Sequence, residues 1–242
     1  MSKATRSTDN GHTSMRHDAN DAPVAASSLR YDGADGRCSD GTVRVCSCGR
    51  LVAGSARPPP DDAMEISCSS CQLRQLVSSD AADLARHAND REVWLNLRDR
   101  FPHPYTVADA EQYIASVTTQ PVQTSFGIII EGEAAGSVGL MLGDDIERGS
   151  AEIGYWLGRR YWGRGIMSEV VAAVTSYAFA QLDLIRIFAV PFTTNVASVR
   201  VLEKAGYVCE GRMHRSAIKV GVVLDQFLYA RTAPATIGTP TV

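Results

Sequence analysis

No apolar run in the 242 residues approaches the ~18–20 that a membrane-crossing helix needs, so a helical membrane protein is excluded. No excess of one charge sign is present either. Against 27 acidic side chains stand 24 basic ones, and a net charge of −3 gives no support for a nucleic-acid partner. The first twenty residues lack the apolar segment of a secretory leader. The six cysteines therefore read as thiols of a reducing compartment rather than a disulfide framework, and a cytoplasmic location is expected. Residues 1–63 contain no Glu, Ile, Phe or Trp, and Tyr31 is their one aromatic side chain. Gly, Ser, Asp and Ala dominate there, and Pro58-Pro59-Pro60 closes the stretch. Such a segment has too little apolar surface to offset its ordering entropy, so 1–63 is expected to be a disordered extension. Residues 64–232 are expected to form one domain, and 233–242 a flexible tail.

From Met64 onward the elements come quickly. A short strand is predicted over 72–77. A helix capped by Ser79 or Asp80 runs to about His87, with Leu84 facing inward. Pro102 and Pro104 interrupt the chain around His103. Thr106 and Asp109 have the spacing of a capping box for a helix through Tyr113 and Ile114. Two apolar strands, 126–131 and 134–142, flank Gly132 as a hairpin. After the polar turn 144–149 comes a strand at 151–157, then a long helix at 166–182 with Val170, Val174, Tyr177 and Ala178 on one face. A strand at 185–190 follows. Asn195 then caps a helix that closes at Gly206, and two strands flank Lys219-Val220-Gly221. The fold class is α/β (α+β): a mixed, mostly antiparallel central sheet with helices on both faces.

The densest information lies between Ala151 and Met167. A strand runs into a loop with Gly163 and Gly165, and the loop opens a long helix. Unpaired amides and the positive end of the dipole make a helix N-terminus an anion site, and glycines let phosphate oxygens approach the backbone. Arg160 and Arg164 add positive charge. A glycine-rich turn beside surface arginines is the alternative for such a turn taken alone. A P-loop is excluded because no Gly-Lys-Ser/Thr follows. A dinucleotide fingerprint fits poorly, because Ser168 stands where the third glycine belongs.

Arg160-x-x-Gly163-x-Gly165 resembles the coenzyme signature of the GNAT N-acetyltransferase superfamily, in which this turn holds the pyrophosphate of acetyl-coenzyme A. A second block, Asn195-x-x-Ser198-x-x-x-Leu202-Glu203-Lys204-Ala205-Gly206-Tyr207, resembles a helix of the RimJ/RimL-like branch. A third, Lys219-x-Gly221-x-x-x-Asp225-x-x-x-Tyr229-Ala230, resembles that branch's closing hairpin. The likeness spans about 71–231, with the blocks in order. It implies an acetyl-coenzyme A site at the strand–loop–helix turn, formed by Trp156, Leu157, Arg160, Trp162, Gly163, Arg164, Gly165, Ile166, Asn195 and Ser198. It also implies transfer of acetyl to a primary amine, either a protein N-terminus or a small molecule, by direct attack in a ternary complex.

Such a transfer needs a base for the amine, donors for the carbonyl oxygen and a partner for the leaving thiolate. Glu152, on the strand entering the turn, is the candidate base; as a plain sheet residue it would only pair with an arginine or face solvent. Ser198 is the candidate donor to the thiolate or a positioning group for the coenzyme; with Asn195 it otherwise serves only as the helix start. Many family members carry a tyrosine acid where Leu202 stands, so that route is absent here. Tyr155 and Trp156 alternate faces, one lining the groove and the other packing on a helix. His103, Tyr105 and His214 are candidates for an acceptor pocket, Tyr207 and Cys209 for the core. A non-catalytic acyl-coenzyme A sensor is the competing class. A zinc knuckle from Cys46, Cys48, Cys68 and Cys71 is a third, although no metal is expected. Neither a nucleic-acid nor a membrane partner is expected, and the chain should be a monomer or homodimer.

Overall fold

The computed structural model describes residues 64–234. The expected extension 1–63, Cys46 and Cys48 with it, and all but two residues of the tail lie outside the described residues. The elements are β1 (Ile66–Ser67), β2 (Gln72–Arg74), α1 (Ala81–Ala88), α2 (Arg91–Trp94), α3 (Val107–Thr118), β3 (Ser125–Ile130), β4 (Glu133–Leu142), β5 (Ser150–Leu157), α4 (Ile166–Gln181), β6 (Arg186–Ala189), α5 (Val196–Lys204), β7 (Val208–Lys219) and β8 (Val222–Thr232). The eight strands form one sheet in the order β1-β2-β3-β4-β5-β6-β8-β7. Every pairing is antiparallel except β5 with β6, which the α4 crossover joins in parallel. The mixed, mostly antiparallel sheet expected from the sequence is what the chain forms.

Local chemistry accounts for the boundaries. The Thr106 amide donates to the Asp109 carboxylate at 2.8 Å, and the Asp109 amide to Thr106 Oγ1 at 3.3 Å, so the capping box starts α3. Asn195 Oδ1 accepts from the Ser198 amide at 3.0 Å and starts α5. Glu131 and Gly132 both have positive φ, 53° and 85°, the geometry of a two-residue hairpin joining β3 to β4. Two elements were not foreseen, β1 and α2. With two and four residues, neither carries a hydrophobic period.

Side-chain alternation divides the core into two layers. On one face Ile128, Ile130, Ala135, Ile153 and Leu157 pack with Val170, Val174 and Ala178 of α4 and Leu202 of α5. On the other, Ile129 and Ala134 meet Leu84 and Ala88 of α1 and Ala110 and Ile114 of α3, with Phe101, Tyr113 and Trp156 beside them. No helix among the described residues is long and apolar enough to cross a membrane.

β5 sits at the sheet's centre and is paired unequally. Its β4 edge is bonded along Ala151–Leu157, whereas its β6 edge is bonded over Ser150–Glu152 alone. Beyond Glu152 the two parallel strands part. Gly136 of β4 holds β5 close at this place. A Cβ added there would stand 2.4 Å from the Trp156 carbonyl oxygen and 3.0 Å from Leu157 Cα, both backbone atoms that cannot rotate away. Gly136→Ala is therefore expected to cost about 1–3 kcal/mol of stability, read as a lower Tm in thermal unfolding. An unchanged Tm would mean that β4 and β5 are free to move apart.

Candidate active site

The parting of β5 and β6 opens a groove of about 1660 Å³ across the sheet. At one end lie Trp162, Gly163, Gly165, Ile166, Met167 and Ser168. The stretch of β5 from Glu152 to Leu157 forms its floor. Ala189 at the end of β6, with Val190 and Pro191 after it, forms one wall with Asn195, Ser198, Arg200, Val201 and Lys204 of the α5 segment. The far end is lined by Arg98, Arg100, Phe101, Tyr105, Tyr113 and Met141.

Gly163 and Gly165 have φ of 75° and 80°, and Gly165 is the N-cap of α4. A Cβ at either position would meet no atom within 4 Å, so the space beside the turn is open. Among the described residues, the amides of Arg164, Gly165, Ile166 and Met167 donate to no partner in the chain; the first bonded amide is that of Ser168, to the Gly165 carbonyl at 3.1 Å. The turn thus combines open space, unpaired donors and the positive end of a sixteen-residue helix, as an anion site requires. Trp162 lies on the rim, its indole N–H donating to the Leu157 carbonyl at 2.7 Å.

The two arginines of the turn do not join it. Arg160 is ion-paired with Glu133 and bonded to the Tyr161 hydroxyl, and Arg86 binds the same Glu133 oxygen at 3.0 Å. Arg164 lies over the Tyr161 ring, 5.4 Å from its centre. Neither lines the groove. Their partners come from β4 and from the neighbouring tyrosine, so the positive charge at the turn is supplied by backbone amides.

Glu152 does line the groove, at the fork where β5–β6 pairing ends. Its carboxylate is ion-paired with Arg98, which is half exposed. Ser198 of α5 lines the groove as well, its hydroxyl sharing a 2.8 Å hydrogen bond with the Tyr155 hydroxyl. Burial pushes the Tyr155 phenol well above its ordinary value, so it stays protonated. Tyr155 and Trp156 both line the groove: Tyr155 on the α5 side, Trp156 edge-on to Phe101, 5.7 Å between ring centres. Two residues were thus missed in these roles, Arg98 as the partner of Glu152 and Tyr155 as that of Ser198. Both contacts join residues more than forty positions apart, and no local pattern announces them.

Of the other candidates, Tyr105 lines the groove and packs with its ring tilted against Phe101, 4.7 Å between ring centres. His103 instead stacks on Trp94, and His214 is largely exposed and 3.2 Å from Asp225. Leu202 and Tyr207 are core, the Tyr207 hydroxyl bonded to Thr175 Oγ1 at 2.7 Å. Cys209 is exposed, contrary to expectation, because the edge strand β7 turns most of its residues to solvent. Cys68 and Cys71 face each other across the β1–β2 turn, where the Cys68 amide donates to the Cys71 carbonyl at 2.9 Å. Burial, together with Cys68, pushes the Cys71 thiol up to about 12, a form that disfavours metal binding. Among the described residues no three His, Cys, Asp or Glu side chains are grouped to hold a metal.

Residues 71–208 match the model of the acetyltransferase (GNAT) domain. The N-acetyltransferase p20 of Bacillus licheniformis is 31% identical over 162 residues, 65% of this chain and 90% of that protein. RimL, a ribosomal L7/L12 alpha-N-protein acetyltransferase solved in complex with coenzyme A, superposes with a TM-score of 0.63 at 21% identity, over 70% of this chain and 98% of that one. The ribosomal-protein-S5-alanine acetyltransferase of Vibrio fischeri gives 0.62 at 22% identity, over 70% and 96%. With more than half of its length matching the family's domain and a groove where β5 and β6 part above a glycine turn, the chain belongs to the GNAT family of N-acetyltransferases.

Proposed function

We propose that residues 64–232 transfer acetyl from acetyl-coenzyme A to a primary amine by direct attack within a ternary complex. The observation that carries this reading is the continuity of the groove. It runs from the unpaired amides at the start of α4, along the open edge of β5, to the Glu152 carboxylate. The pyrophosphate would bind the amides between Gly163 and Met167, against Trp162 and Ile166. The pantetheine would follow β5 past Leu157 and Trp156, using backbone groups that β6 leaves unpaired. Asn195 holds the start of α5, and through it Ser198, against this channel.

At the fork the amine is activated and the thiolate released. Glu152 takes the amine's proton, directly or through a water. The Ser198–Tyr155 pair then acts as a hydrogen-bond donor to the sulfur rather than as an acid. A phenol raised above its ordinary ~10 would have to give its proton uphill to a thiolate whose conjugate acid has a pKa of ~8.5. Stabilising the thiolate by hydrogen bonds needs no such transfer. No cysteine lines the groove among the described residues, so direct attack needs fewer assumptions than an acyl-enzyme. The blocks at 195–207 and 219–230 support an acceptor of the RimJ/RimL-like kind, a peptide N-terminus or a small amine.

Initial-rate kinetics test the order of events, using an amine found by following thiol release. Rates measured over a grid of acetyl-coenzyme A and amine concentrations should give intersecting reciprocal lines. Parallel lines, the sign of a covalent acetyl-enzyme, would overturn direct attack.

A further inference from the structure

The acceptor end of the groove has an unbalanced charge. Met141 of β4 and Glu152 of β5 are directly opposite each other in the sheet. Two guanidinium groups from the segment after α2 converge on this pair: Arg98 on the Glu152 carboxylate, Arg100 on Met141 Sδ at 3.0 Å. A thioether is a weak acceptor for a group with five N–H donors. Among the described residues Arg100 has no carboxylate within ion-pair reach. Asp99, between them, is drawn the other way. Lys219, only 4% exposed, donates to Asp99 Oδ1 at 2.7 Å and lies 3.8 Å over the centre of the Trp94 ring. This anchor fixes the segment with Arg98 and Arg100 on the groove side. Asp109, the other acidic residue of the lining, is engaged in the α3 capping box. Beside the two arginines lie Phe101 and Trp156, edge to face.

Resting on the transfer reading above, we infer that the acceptor is an amine that also carries an acid group, which bridges Arg98 and Arg100 while the ammonium faces Glu152. The acceptor's ammonium then lies against the Glu152 carboxylate and its acid group against the two guanidinium groups, so each ionised group of the acceptor meets an opposite charge. Arg100 exchanges a thioether for a carboxylate, a charge-assisted and potentially bidentate partner. The apolar part of the acceptor rests on Phe101 and Trp156. An amino-acid-like small molecule and the N-terminus of an acidic peptide both present this chemistry.

Matched pairs of acceptors decide the matter. One arm compares L-phenylalanine with L-phenylalaninamide. The other compares the C-terminally amidated tetrapeptides Ser-Asp-Phe-Ala and Ser-Asn-Phe-Ala. Thiol release from acetyl-coenzyme A is followed with the full chain. In at least one arm the acid-bearing member should have a kcat/KM roughly 10–100-fold above its neutral twin, and the responding arm identifies the source. Arg100→Gln should bring that ratio close to one, and Arg100→Lys should keep part of it, because charge remains without the planar fork. Arg100 is exposed, so neither variant threatens the fold. Equal rates for both twins, or a preference that survives in Arg100→Gln, would overturn the inference and leave the transfer reading standing. Absence of turnover in both arms would overturn it for both sources. Calorimetry with coenzyme A separates that outcome from failure of the transfer reading, since a chain that does not bind coenzyme A fails at the earlier step.

Discussion

Glu152→Gln is expected to lower turnover by roughly 10²–10⁴-fold, the usual contribution of a positioned base, while coenzyme A affinity stays near that of the parent. An acceptor amine is mostly ammonium at neutral pH, with a pKa of ~10.4 for a lysine side chain and ~7.7–8.0 for an α-amino group. The proton must leave before or during attack. Glu152 stands where the β5–β6 pairing ends, at the end of the groove remote from the phosphate turn. Glutamine keeps the shape and removes the basicity. The substitution also releases Arg98, which is half exposed and can be solvated, so the stability cost is small. Raising the pH should restore part of the rate, because solvent deprotonates more of the amine. The loss should be smaller for an α-amino acceptor than for a lysine side chain. Turnover at the parent rate across the pH range would show that Glu152 serves only to hold Arg98. The chain would then work by bringing its two substrates together.

Elements with local signatures were legible in the sequence. The Thr106–Asp109 box, the Asn195 cap, the Gly132 hairpin and the left-handed Gly206 are each decided within four residues, and each forms as expected. The long apolar face of α4 was legible for the same reason: Val170, Val174 and Ala178 repeat at helical spacing and are all fully buried. β1 and α2 are too short to carry a period: β1 exists through its pairing with β2, and α2 is a single turn capped by Asp90. The site shows the same division. The glycine turn, Glu152 and Ser198 could be placed because their strand and helices could be placed. The side-chain pairings could not. Arg160 has the sequence position of a coenzyme ligand, yet Glu133 holds it, twenty-seven residues away along the chain. Arg98 reaches Glu152 over fifty-four positions, from a segment whose course depends on Lys219 in the last hairpin. Charge pairing across such distances follows from the fold, and a single sequence carries no trace of it.

The second large effect concerns the coenzyme end. Gly163 has a φ of 75°, and a Cβ there points into open space. Gly163→Val would place a branched side chain where a phosphate has to sit and would disfavour the backbone geometry that presents the amides. Losing two or so charge-assisted hydrogen bonds corresponds to roughly 100-fold or more in affinity. Backbone strain alone lowers stability wherever it occurs, so a control must carry equal strain elsewhere. Gly132 supplies it: φ is 85°, a Cβ there also meets nothing within 4 Å, and the residue lies in the β3–β4 turn outside the groove. Both variants should lose stability to a similar extent, of order 1–3 kcal/mol. Calorimetric titration of coenzyme A into this pair is the most direct test of where the coenzyme binds. The predicted result is parental affinity in Gly132→Val and a roughly 100-fold loss in folded Gly163→Val; equal, undiminished affinity in both would contradict a phosphate site at the start of α4.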